Sequence, residues 1–220
     1  MLEFHHQWLV HPLNQWVDSS LRFVIGKEDA CAAVDPQHCF ANPDGSLYAP
    51  NSFTLVRPAA HFTMEFYVEN RAVSGDCHSP FHKSFTENGG RWPAHGICGT
   101  ISATLVGAFA DLLYGVYVAK GREDDVESYG AVADERGVSN GLVEFYRSRG
   151  IKRVFVYGWV FEFCVSTTAL QLALAGFEVY VVINITAMLG ITQGENSIQA
   201  KAQVLANAGV EFIYSSQVSG

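Results

Sequence analysis

Short apolar runs rich in β-forming residues alternate with helix-patterned stretches through most of this chain, and that alternation narrows the folds open to it. The runs are ACAAVD (30–35), EFYVEN (65–70), YGVYVAK (114–120), RVFVYGW (153–159), EVYVVIN (178–184) and EFIY (211–214). Between them lie ATLVGAFADLL, NGLVEFYRSRG, FCVSTTALQLALAG and SIQAKAQVLANAG, the last three closing on Gly150, Gly176 and Gly209, a common helix stop. Strands alternating with helices form βαβ units. The expected fold is therefore α/β, three-layered, with a mostly parallel twisted sheet of about six strands and helices on both faces.

At 220 residues the chain suits one such domain, set at residues 29–220, with residues 1–28 as an N-terminal extension carrying His5, His6 and His11 without a clear period. A formal charge of -8, from 14 Lys and Arg against 22 Asp and Glu, repels phosphate backbones and anionic lipid. Nucleic acid and membrane surface are thus poor partners, and no apolar stretch nears the ~20 residues of a bilayer crossing. The first residues lack the pattern of a secretory signal, which gives a cytoplasmic expectation. Five cysteines at irregular spacings, with no CxxC pair, argue against a disulfide framework and a zinc finger.

In open α/β sheets ligands bind beyond the carboxyl ends of the strands. Asp35, Lys120 and the segment GWVFEFC stand at such ends. Cys164 follows a strand and begins a helical stretch, which places its sulfur near the positive end of a helix dipole. An ordinary thiol of pKa ~8.5 is only about 3% thiolate at pH 7. A shift to ~6 needs roughly 3 kcal/mol, within reach of a helix terminus and one cation such as Lys120, with Asp35 as proton acceptor. The alternative is a buried, inert cysteine.

The stretch SGDCHSPFHKSFTENGGRWPAHGICGT (74–100) crowds three of the eight histidines into one irregular loop. Asp76 and His78, two apart in extended chain, face the same way; Pro80 turns His82 around, and His95 can close the set. One carboxylate with two or three imidazoles suits Zn²⁺, Mn²⁺ or Fe²⁺ better than Ca²⁺ or Mg²⁺. The alternative is a set of solvent-facing histidines.

From Cys31 onward the pieces resemble, in order, the nicotinamidases or pyrazinamidases among the isochorismatase-like cysteine hydrolases. VDPQHCFANPDGSL is similar to the family's first strand and D-x-Q-x-x-F segment, DCHSPFHKSF to D-W-H-P-x-x-H-x-S-F, and RWPAHGICGT to W-P-x-H-C-V-x-G-T. AKG and ESYGAV follow, and GWVFEFCVSTTAL resembles G-L-A-T-D-Y-C-V-x-x-T-A. The resemblance implies an Asp35-Lys120-Cys164 triad in which Cys164 is the nucleophile and Asp35 the base. It implies one divalent metal, zinc first and manganese or iron as alternatives, on Asp76, His78 and His95, with His82 as an additional ligand. Phe40 and Trp92 would sandwich a pyridine ring beside Tyr129. A cis peptide near Trp159 and Val160 would aim the N–H groups of Val160 and Cys164 at an oxyanion. The implied activity is deamination of nicotinamide to nicotinate through a Cys thioester, in NAD salvage (pyridine nucleotide biosynthesis), with a small aromatic amide as the partner and homo-oligomer formation left open. Bulky Val160 and Phe161, with Glu162 beside them, leave room for another amide or carbamoyl substrate, or for a non-catalytic relative that binds metal or a ring ligand.

Overall fold

The computed structural model describes residues 11–220; His5, His6 and the rest of the first ten residues lie outside the described residues. Eight strands follow in chain order: β1 (Phe23–Val24), β2 (Asp29–Val34), β3 (Arg71–Asp76), β4 (Val116–Lys120), β5 (Arg153–Gly158), β6 (Glu178–Val182), β7 (Glu211–Ile213) and β8 (Val218–Ser219). Six of them form one wholly parallel sheet in the order β4-β3-β2-β5-β6-β7, and β1 pairs with β8 in a separate ribbon. The helices are α1 (His38–Ala41), α2 (Phe53–Met64), α3 (Leu142–Ser148), α4 (Ser166–Leu174) and α5 (Ile198–Asn207). Among the described residues no helix is long and apolar enough to cross a membrane.

The strand order explains why β2 and β5 read as continuous apolar runs. They lie side by side in the middle of the sheet, covered on both faces, and every residue of β2 is buried. The chain runs outward from β2 to β3 and β4 on one side and from β5 to β6 and β7 on the other. The order therefore reverses between β2 and β5, and the crevice at their carboxyl ends is the place where such a sheet binds ligands.

Two expected elements are corrected. The strand expected at EFYVEN is instead β3, beginning at Arg71, with a 3-10 turn over Val68–Asn70. Arg71 can sit buried in that strand because its guanidinium donates to the carbonyls of Met64, Phe66 and Leu113. The helix expected over ATLVGAFADLL is two 3-10 turns, Ile101–Ala103 and Gly107–Phe109, with extended backbone at Thr104 and Val106 between them and Gly107 at φ 52° opening the second. In addition α2, which contains Pro58, was not anticipated. Gly150, Gly176 and Gly209 hold φ of 69°, 93° and 82°, the left-handed stop expected of them.

Candidate active site

Register brings the charged groups together. Asp76 and Lys120 are paired residues at the carboxyl ends of β3 and β4, and Asp35 directly follows β2. Cys164 lies in a π-helical turn (Phe161–Val165) between β5 and α4, so it precedes the α-helix by one short turn. Lys120 Nζ is 2.9 Å from Asp35 Oδ2, 2.5 Å from Asp76 Oδ1 and 3.6 Å from Cys164 Sγ, and all four side chains are buried. Asp35 stands at φ 51°, a conformation that Asp tolerates better than most residues, and Ser74 Oγ donates to its Oδ1 at 2.7 Å. Lys120 forms an ion pair with Oδ2, the carboxylate oxygen that Ser74 does not engage.

Burial drives the electrostatics. It pushes the Cys164 thiol well above its ordinary value, against the pull of Lys120 and with the help of the Asp35 and Asp76 charges. The cation that would favour a thiolate is shared between two carboxylates, whose charges oppose ionisation of the sulfur. Burial also raises Asp35, more than Lys120 and Ser74 lower it, and so makes it a stronger base. For Lys120 burial acts the other way, but its two carboxylates outweigh it and keep the ammonium charged.

The other face of Asp76 looks at the histidines. Its Oδ2 lies 3.5 Å from His78 Nε2 and 3.7 Å from His95 Nε2, and one ligand atom from each of the three residues falls within 4.8 Å of the others. His78 Nδ1 donates to the Gly121 carbonyl at 2.7 Å and His95 Nδ1 to that of Pro93 at 2.8 Å. A carbonyl can only accept, so each Nδ1 carries a proton, and in the neutral ring each Nε2 beside Asp76 keeps the lone pair a metal needs. Burial lowers His95 to about 4, which keeps it neutral, whereas for His78 the Asp76 charge outweighs burial and raises the pKa. Asp35 and Asp76 against Lys120 leave one negative charge in excess. A carboxylate oxygen, two oriented imidazoles and that excess fit a divalent cation.

His82 is not part of this set. Its Nδ1 pairs with Ser84 Oγ at 2.7 Å and its Nε2 with the Val126 carbonyl at 3.0 Å, so neither nitrogen is free, and the ring lies against His78. Gln37, the second letter of the D-x-Q motif, clamps Asp76 from behind: its amide accepts from Asp76 N at 2.7 Å and donates to Asp76 O at 2.8 Å.

A pocket opens above these groups. Phe40, Trp92 and Tyr129 line it as expected, together with Val160, Cys164 and the metal-capable trio. Trp92 Nε1 donates to the Tyr129 hydroxyl at 3.0 Å. Leu47, Glu127, Phe163 and Leu189 also line it and were not anticipated. Phe163 had a signal as the neighbour of Cys164, and Leu47 and Glu127 lie at the ends of VDPQHCFANPDGSL and ESYGAV; Leu189 lies outside every quoted segment. The Phe163 ring stands edge-on to Trp92 at 5.0 Å. Phe161 points elsewhere, packing toward Phe212, so of the bulky residues here Val160 and Phe163 line the pocket. The peptide between Trp159 and Val160 is cis, at the position expected, and among the described residues no acceptor takes the Val160 N–H.

The remaining cysteines divide in two. Cys77 and Cys98 form a disulfide, Cα atoms 4.6 Å apart, although the irregular cysteine spacing argued against a disulfide framework. Paired backbone bonds between the strand end and the loop, His78 N to Gly96 O and Cys98 N to His78 O, set them side by side. Cys31 and Cys39 are free and buried.

Residues 29–209 match the family described as Isochorismatase domain. A nicotinamidase of Acinetobacter baylyi is 30% identical over 128 residues, which are 58% of this chain and 58% of that protein. The structure of PnC1 from L. infantum in complex with nicotinate is similar at a TM-score of 0.84 and 29% identity, covering 90% of this chain and 98% of that one. Pyrazinamidase of Pyrococcus horikoshii, solved in complex with zinc, is similar at a TM-score of 0.70 and 28% identity, over 85% of this chain and 99% of that one.

Proposed function

We propose, for a chain that belongs to the isochorismatase domain family, that it is a cysteine amidohydrolase that deaminates nicotinamide to nicotinate and ammonia in NAD salvage, in the cytoplasm. The observation that carries this reading is the buried group Asp35-Lys120-Cys164 at the floor of a pocket walled by aromatic rings. The similarity to a nicotinate-bound protein and to a nicotinamidase supports the choice of ring and bond.

Cys164 attacks the carboxamide carbon as Asp35 Oδ2 takes the thiol proton. The raised pKa of both groups suits a concerted transfer better than a preformed thiolate. Lys120 holds Asp35 in place and offsets the negative charge that develops as the sulfur attacks. The Val160 and Cys164 N–H groups receive the oxyanion, the proton on Asp35 passes to the leaving nitrogen, and ammonia departs. Water then attacks the thioester carbon as Asp35 takes its proton, the C–S bond breaks to release nicotinate, and the proton on Asp35 returns to the Cys164 sulfur. Phe40, Trp92, Tyr129 and Phe163 hold the ring and exclude water.

Asp76, His78 and His95 would hold one divalent metal, with zinc favoured by the donor set and by the zinc-bound pyrazinamidase relative. Bound there, it would supply Lewis-acid orientation of the ring nitrogen or of a nearby water.

The test is release of ammonia and nicotinate from nicotinamide by metal-loaded protein. Equal amounts of the two products are expected. No release, with metal bound and the protein folded, would overturn the reading in favour of a different amide substrate.

A further inference from the structure

Glu162 is two residues before Cys164, is fully buried, and has no basic partner among the described residues. A carboxylate in that position needs donors. It finds them in three consecutive backbone N–H groups: Leu189 at 3.0 Å to Oε2, and Gly190 at 2.8 Å and Ile191 at 3.2 Å to Oε1. Gly190 holds φ 81°, which turns the three amides toward one point.

The loop so gripped has two connections to the reaction centre. Leu189 is a wall of the pocket. Two residues earlier, Ala187 accepts from Phe161 N at 2.8 Å and donates to Gly158 O at 2.9 Å, on either side of the Trp159–Val160 peptide. On its far side the loop's backbone hydrogen bond among the described residues is at Ile191 O, which accepts from Ile198 N at the start of α5. The backbone from Leu189 to Ile191 therefore takes its polar anchorage from Glu162, beside the packing of Met188 and Leu189 on the core. Neither the proton transfers nor the metal-capable trio uses this carboxylate.

We propose that Glu162 is a positioning residue that sets the size selectivity of the pocket by latching Leu189 against the ring site. The selectivity part rests on the amidohydrolase reading, whereas the latch itself does not. With the latch closed, a substituent on the ring meets a fixed Leu189 side chain. With it open, the wall yields.

The test uses the full chain as wild type, Glu162→Gln and Glu162→Ala, with two readouts. Hydrogen exchange at the Leu189, Gly190 and Ile191 amides is expected to rise in Glu162→Ala, and to a lesser degree in Glu162→Gln. The glutamine keeps one acceptor for Gly190 and Ile191 but turns a donor toward Leu189 N–H. In steady-state kinetics KM for nicotinamide is expected to rise about tenfold in Glu162→Ala while kcat changes less than about threefold, and discrimination against a ring-methylated nicotinamide should shrink by about tenfold or more. Unchanged exchange in both variants overturns the latch. Faster exchange with unchanged discrimination overturns the selectivity role. If wild type does not turn over nicotinamide, the functional reading falls, and the exchange data still decide the latch. Should Glu162→Ala fail to fold, Glu162→Gln carries the same comparisons.

Discussion

Lys120 Nζ sits 2.5 Å from Asp76 Oδ1, and the second oxygen of the same carboxylate faces His78 and His95. One residue thus joins the proton-transfer group to the metal-capable trio, two sites that look separate along the chain. Any change in Asp76 acts on both, and the charge of Lys120 balances a carboxylate on each side.

Removing that balance has a predictable cost. Lys120→Met leaves Asp35 and Asp76 buried side by side without a cation. Breaking a buried ion pair from one side typically destabilises by about 3–5 kcal/mol, and urea unfolding of metal-free protein should show a loss of that order. Turnover should fall by about 10²-fold or more, since the electrostatic support of the attacking sulfur goes with it.

Gly121 is the second point of leverage. It holds φ 64°, its carbonyl orients His78, and an added Cβ would stand 2.3 Å from the His78 ring. Gly121→Ala should therefore displace His78 and reduce bound metal per chain, measured by elemental analysis, more than it perturbs the fold seen by circular dichroism.

Alkaline pH should unfold the protein through its buried thiols. Burial pushes Cys31 up to about 12 from 9.0, and Cys39 and Cys164 are raised for the same reason. In the unfolded chain these thiols ionise first, so the unfolded state binds fewer protons above pH ~9. Stability that is complete below that pH is lost as pH rises toward the folded values, by about 1.4 kcal/mol per unit for each thiol. Unfolding free energies at pH 7, 9 and 10 check the sign and the onset.

The Cys77–Cys98 bond closes a loop with a sequence separation of 21, and the loop carries His95. Chain-entropy arguments put its contribution at roughly 3 kcal/mol. A dithiol reductant should lower the melting temperature, and the Cys77→Ala, Cys98→Ala double variant should show the lower value with or without reductant.

Much of the fold was legible because central parallel strands and capped helices have strong local signatures, such as ACAAVD in β2 and the glycine after α5. Where local signals misled, a distant partner had changed the answer. Arg71 enters a buried strand because three carbonyls from other segments receive it. The apolar pattern after Ala103 gives way at Gly107. At the site, residue types and strand ends pointed to Asp35, Lys120, Cys164, Asp76, His78 and His95. The joining of the two groups through Asp76 was hidden, since it depends on the register of β3 and β4 across 44 residues. His82, expected only as an additional ligand, is kept out of the set because Ser84 and Val126 occupy its nitrogens.

The central claim is that Cys164 breaks the amide bond as a nucleophile. Ammonia release from nicotinamide by Cys164→Ala, with metal content and melting temperature matched to wild type, tests it most directly. The account predicts a fall of about 10³-fold or more, with hydroxylamine trapping a nicotinoyl group from wild type and none from the variant. A Cys164→Ala protein that releases ammonia within tenfold of the wild-type rate would contradict it.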